Sequence, residues 1–235
     1  MRSFPPPRHP LGAAGADKMV VRRAAIVVAL LACSLLVTAT AVGGPPRLEQ
    51  KRLRPADMAL AKRITLRASD LSAGWTRRPA SQEPEQVPRC PGADLDFSRF
   101  TITGQARSSF ARGTATVQSF VEVFETRSDA VGDFRKATAP KVLACLGPEL
   151  ERQGRRQGLD LHVISLRSVA RPAVGERAFA VHAVMSVAAG AGRVRLYMDV
   201  IGMQRGRSGV SLFLMGTSPV PGRLAVARSV AARMR

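Results

Sequence analysis

The strongest constraint on this chain is the repeated alternation in its C-terminal half. Residues 161–169, 177–188, 194–203 and 209–216 each alternate apolar and polar side chains, and turn residues divide each segment from the next. A period of two marks a strand with one buried face. The last two connections are Gly190-Ala191-Gly192 and Gly206-Arg207-Ser208-Gly209. Links that short turn the chain back beside itself and impose antiparallel pairing.

Two more strands are predicted upstream. Phe100-Thr101-Ile102-Thr103-Gly104 is the first; Val117, Ser119, Val121 and Val123 mark the second, with Phe120 and Phe124 on its other face. From Ser128 the period becomes helical. Asp129 and Asp133 favour an N-terminus there, and Val131, Phe134, Val142, Cys145 and Leu146 recur on one side. Pro140 should kink or restart this helix, because it has no N–H to donate and its ring clashes with the preceding turn. Gly154 and Gly158 mark its end. A final segment, 221–234, sets Leu224, Val226, Val230 and Met234 at helical spacing. The order predicts an α+β fold: a single curved antiparallel sheet of about six strands, with two main helices packed on one face.

The N-terminus speaks to compartment. Arg22-Arg23 precedes an uncharged apolar run, 24–42, which ends in Ala39-Thr40-Ala41 before Gly43-Gly44-Pro45-Pro46. A basic start, an apolar run and a small-residue cleavage site form an export signal. Cleavage after Ala41 would release the remainder; retention would leave residues 24–42 as an anchor, with Arg22 and Arg23 holding the short end inside. Leu30-Leu31-Ala32-Cys33 is lipobox-like, but Ser34-Leu35-Leu36-Val37 is apolar where lipoproteins carry a polar tether. Residues 1–18 read as a disordered leader or a misplaced start, since Met19 opens a normal signal. Residues 43–68 are expected to be a basic stalk and 69–235 an extracytoplasmic domain, secreted or anchored to the cytoplasmic membrane.

Past the signal, Cys90 and Cys145 remain. In an exported chain they should pair; a redox or metal pair would need closer spacing or additional ligands. The bridge would contribute about 4 kcal/mol on the chain-entropy account.

Charge bears on partners. The chain holds 36 Lys and Arg against 17 Asp and Glu, a net +19, of which +15 remains once residues 1–41 are set aside. Such a field attracts anionic lipid or cell-wall polymer at low salt, whereas specific nucleic-acid recognition has no motif here. Arginine and alanine richness also follows from a GC-rich genome without any partner. An apolar content of 46% is too high for a disordered chain.

Several runs resemble a known group. Cys90-Pro91-Gly92-Ala93-Asp94-Leu95-Asp96-Phe97-Ser98, Phe100 to Ala106, Val121-Glu122-Val123-Phe124-Glu125-Thr126 with Asp129-Ala130, and Cys145-Leu146 look like uncharacterised exported actinobacterial proteins. Asp70-Leu71-Ser72-Ala73-Gly74-Trp75 is similar to an opening motif of that group. More distantly, the layout over residues 66–235 resembles the extracytoplasmic sensor domain of mycobacterial serine/threonine kinases, which carries a second disulfide that this chain lacks. The resemblance implies a ligand-binding or sensing module and transfers no catalytic residue.

Candidate chemistry is sparse. His162 and His182 both fall within predicted strands; His162 shares parity with Ile164 and Leu166, and His182 with Ala180 and Val184. Partly buried, satisfied histidines account for both more simply than general bases do. A hydrolase would also need a nucleophile such as Ser165 and an orienting acid, and no G-x-S-x-G elbow exists. Trp75 is read first as an anchor for the N-terminal segment and second as a stacking platform. Trp75, His162, His182 and Tyr197 stand as candidate ligand-binding residues. Asp94 and Asp96 alternate as in calcium loops, but the other acidic ligands are missing, and no metal or cofactor is expected. The Gly- and Arg-rich stretch 202–209 joins two strands and opens no helix, so it reads as a turn and not a phosphate cradle.

The expectation is a non-catalytic extracytoplasmic binding or sensor-like domain for a small apolar ligand or an envelope component, using the concave sheet face. An envelope hydrolase with a His/Ser site and a purely structural envelope protein are the alternatives. A cleft lined by Phe, Met and Val would favour the binder; a converging histidine, acid and hydroxyl would favour the enzyme.

Overall fold

A computed structural model describes residues 47–80, 90–170 and 172–234. Along the chain run β1 (Gln50–Lys51), α1 (Pro55–Ile64), a short 3-10 turn (Ala68–Asp70), β2 (Thr76–Arg78), β3 (Thr101–Arg112) and β4 (Ala115–Phe124). Then come α2 (Arg127–Ala137), α3 (Pro140–Arg156), β5 (Leu161–Ser168), β6 (Arg177–Ala189), β7 (Gly192–Arg205), β8 (Ser208–Gly216) and α4 (Arg223–Ala231). The leader 1–18, the export run 24–42 and Cys33 lie outside the described residues. No helix among the described residues is long and apolar enough to cross a membrane.

The eight strands form one sheet in the order β1-β3-β4-β8-β7-β6-β5, with β2 also paired to β3. The glycine turns act as expected: Ala189 pairs with Gly192 and Arg205 with Ser208, around Gly190 and Gly206 at positive φ (61° and 55°). Only glycine takes that conformation without steric cost. Three features differ from expectation. The strand count exceeds six because two short N-terminal strands dock on β3, one of them, β1, in parallel. Two helices become four: Pro140 restarts the chain as α3, and residues 55–64 add α1.

The third difference is that helices cover both faces. Val121, Ile201, Leu212 and Leu214 pack with Ile64 of α1 and Val230 of α4. On the opposite face Met185, Leu196 and Met198 pack near Leu150 of α3, and Phe124 packs with Ala130 of α2. The central strands are apolar at both parities, so a single helical layer would leave one face wet.

The region expected to be a stalk joins this core over its described part. Ala61 and Ile64 are fully buried, and the chain after them is fixed by serines that a polar reading would place in solvent. Leu66 N–H donates to Ser119 Oγ at 3.1 Å, and Ser108 Oγ donates to the Leu66 carbonyl at 2.9 Å. Those bonds explain why β3 continues through polar residues to Arg112.

Candidate functional site

Between the sheet and the α2–α3 layer lies a cavity of about 350 Å³, at the lower end of the size range of small-molecule sites. Its floor alternates along the central strands: Phe120 comes from β4, Phe213 from β8, Met198 from β7 and Phe179 from β6. Its roof is one stripe of α3, where Leu143, Leu146 and Leu150 face inward. Phe120 and Phe213 meet edge to face with centroids 5.4 Å apart, an arrangement favoured by the ring quadrupoles. Phe179 lies across Gly202, where a Cβ would sit 1.9 Å from the ring, and its other side meets Phe134 of α2 at 5.8 Å.

The roof is fastened. The Cys90–Cys145 disulfide, with Cα atoms 5.5 Å apart, joins α3 to the loop before β3. Lys136 of α2 holds the same loop, donating to the Asp96 carbonyl at 2.8 Å and pairing with Asp94. Asp94 Oδ1 accepts from Asp96 N–H, and Asp96 Oδ1 accepts from Ser98 N–H and its hydroxyl. The Lys136 bond lowers the Asp94 carboxyl below its usual range, and the Ser98 bonds lower that of Asp96. These two carboxylates therefore serve as turn fasteners. No group of three or more potential metal ligands occurs among the described residues.

The charged side chains of the lining are all acidic, beside neutral Thr116, Gln118, Gln153 and Ser211. Glu49, Glu122, Asp133 and Glu149 contribute to it, and no Lys, Arg or His does. Glu149 is buried at 3% exposure and pairs with Arg152.

None of the four residues nominated from sequence lines this cavity. His182 and Tyr197 share the opposite face, their rings 6.4 Å apart. His182 Nδ1 lies 2.9 Å from Asp199 Oδ1, and Arg223 donates to Asp199 Oδ2 at 3.4 Å, so a buried carboxylate is satisfied from two sides. His162 is exposed and reaches Glu151 at 3.0 Å. Strands β5 and β6 are neighbours, yet their register sets His162 opposite Ser186 and His182 opposite Arg167. The two imidazoles are thus four positions apart, about 13 Å along a strand. Ser165 sits opposite Val184 and bonds to neither histidine among the described residues. A bulge between Val163 and Ser165 breaks the parity expected of His162, leaving Ile164 half-exposed while Leu166 packs inward. Trp75 packs partly buried against the main core, with the Arg112 guanidinium 5.0 Å above its ring.

No protein-family model and no curated protein matches this chain. Six chains among solved structures do. One is the extracellular domain of PknH from Mycobacterium tuberculosis, at a TM-score of 0.41 and 13% identity, covering 76% of this chain and 98% of that one. The similarity is distant and transfers no residue role.

Proposed function

We propose that this protein is a non-catalytic extracytoplasmic module that binds a small, mainly apolar ligand between its sheet and the α2–α3 roof. The cavity carries the reading: aromatic and aliphatic walls from five strands and two helices line about 350 Å³ beneath a roof held by a disulfide. A solvent-accessible cleft whose walls are mainly aromatic and aliphatic marks a binding surface, because a fold that needed only stability would cover those side chains. The export-type N-terminus and the disulfide support the location. The excess positive charge would keep the module near anionic lipid or cell-wall polymer without specific contacts.

The test is native mass spectrometry of the protein isolated from its own envelope, before and after mild denaturation. A mass lost on unfolding, and missing from a Leu146→Trp variant that fills the cavity, is the expected result. A bare chain in both, together with no uptake of any added amphiphile, would overturn the proposal.

A further inference from the structure

We infer that the protein carries a second site, separate from the cavity, which binds a phosphate group. It lies where the edge of the sheet is interrupted. Strands β1 and β2 both pair with the outer edge of β3, but β1 covers only Thr101 and Ile102, and β2 only Ser109 to Ala111. Residues 105–107 fall between them without a strand neighbour on that side. The last turn of α1 and the segment after it wall the gap, leaving a cleft of about 500 Å³. The cleft shares no lining residue with the cavity and lies on the α1 side of the sheet, where Leu66 and Phe110 pack.

The charge of this cleft selects its ligand. Lys62, Arg67 and Arg77 line it, and no carboxylate does. The wider stretch 62–78 holds five bases, Lys62, Arg63, Arg67, Arg77 and Arg78, against the single acid Asp70. Arg233 already takes both oxygens of Asp70, at 2.8 and 2.7 Å. Lys62 and Arg77 are exposed and make no hydrogen bond or ion pair among the described residues. Arg67 spends one donor on the Arg63 carbonyl at 2.8 Å and has further donors to offer. Arg107 is engaged, its guanidinium 5.0 Å over the Phe120 ring, and is not one of the three. Cations that share one cleft repel, so an anion that bridges them gains from each. A carboxylate brings one charge, and a single guanidinium fork satisfies it. A phosphate monoester carries about −1.5 to −2 with three acceptor oxygens, which matches cations arriving from two walls. The cleft is larger than a bare phosphate needs, and Ala106 and Phe110 give the rest of the ligand an apolar floor.

Glycerol 3-phosphate, titrated calorimetrically at neutral pH and about 0.1 M salt into the oxidised full chain, should bind, and glycerol should not. Lys62→Gln and Arg77→Gln should each weaken binding by about tenfold, at thermal midpoints near the parent's. Exposed Arg195 of β7 lies three strands from β3. Arg195→Gln removes the same charge and should leave the affinity unchanged, because salt screens such a separation beyond about 10 Å. Vesicles of phosphatidylcholine with phosphatidic acid, set against phosphatidylcholine alone, identify the source. Preference for the acidic vesicles that is lost in the two cleft variants assigns the site to a lipid headgroup. Glycerol 3-phosphate binding without that preference assigns it to a soluble phosphate ester. Failure of both ligands overturns the inference. So does Arg195→Gln changing the binding as much as the cleft variants do, since overall charge would then account for it. Each of these results leaves the cavity reading untouched.

Discussion

Arg207 reaches Asp57 from 150 residues away and grips it from the tip of the β7–β8 hairpin. Its Nη2 donates to Oδ1 at 2.8 Å, and its Nη1 donates to the Phe124 carbonyl at 2.9 Å. The contact pins the start of α1 to the hairpin, so α1 and the β7–β8 strands are held as one piece. The Arg207 hydrogen bond holds the Asp57 carboxyl below its usual value, against an opposing effect of burial. A carboxyl with a depressed folded pKa binds its proton more weakly when folded. Its stability contribution is therefore complete above the unfolded value, about 3.9, and is lost as pH falls through the lower folded value. Asp57→Asn should cost about 1–3 kcal/mol at neutral pH, and its urea stability curve should converge with the parent's below about pH 4. A constant gap from neutral to acid pH would refute this role for the pair.

Gly104 of β3 lies directly under the same helix start. A Cβ there would stand 2.3 Å from the Asp57 carbonyl oxygen and 2.9 Å from the Met58 nitrogen. Both are backbone atoms, so no side chain can swing away. Gly104→Ala should lower stability by about 1–3 kcal/mol or more. Gly192→Ala meets nothing within 4 Å and should stay within about 0.5 kcal/mol of the parent. Thermal midpoints of the two variants provide the comparison, and equal midpoints would show that α1 is free to shift.

The disulfide should matter to stability and to the cavity together. It closes a separation of 55 residues, for which the chain-entropy account gives about 4 kcal/mol. Cys90→Ser should therefore lower the midpoint markedly under oxidising conditions, and reductant should lower the parent but not the variant. Because Cys145 lies on the roof helix, amphiphile uptake should weaken in the same variant. Unchanged stability under oxidising conditions would sink the claim.

Much of the framework was legible because local rules decided it. Glycine turns at 190 and 206 set the meander, Pro140 was expected to kink or restart its helix and restarts it, and Cys90 had a single exported partner in Cys145. What escaped depended on distant partners. Ser108 and Ser119 carry no local sign that the Leu66 backbone will come to bond them, and without that contact α1 reads as a stalk. The second helical layer was hinted at by Phe120 and Phe124 lying off the main parity, but one strand's pattern cannot say how many helices will cover it. The cavity was hidden for the same reason, since its walls combine five strands and two helices and are mainly Phe, Leu, Met and Val. His182 and Tyr197 do come together, on the other face, because register and not sequence spacing decides which strand residues meet.

That other face supplies the sharpest contrast between the binding reading and its hydrolase alternative. The His182 side chain is 13% exposed and that of Asp199 is 4% exposed, with Arg223 completing the set. If the group is structural, His182→Ala leaves Asp199 buried with only the longer Arg223 contact. Stability should then fall by about 1–3 kcal/mol, the cost of an under-satisfied buried polar group. Amphiphile binding should be unchanged, because the cavity lies across the sheet and shares no residue with this cluster. His182→Gln, which can still donate to Asp199, should recover part of the lost stability. An ester-hydrolysing activity in the parent that disappears in both variants, with folding preserved, would instead make His182 a reactive group and return the hydrolase reading to first place.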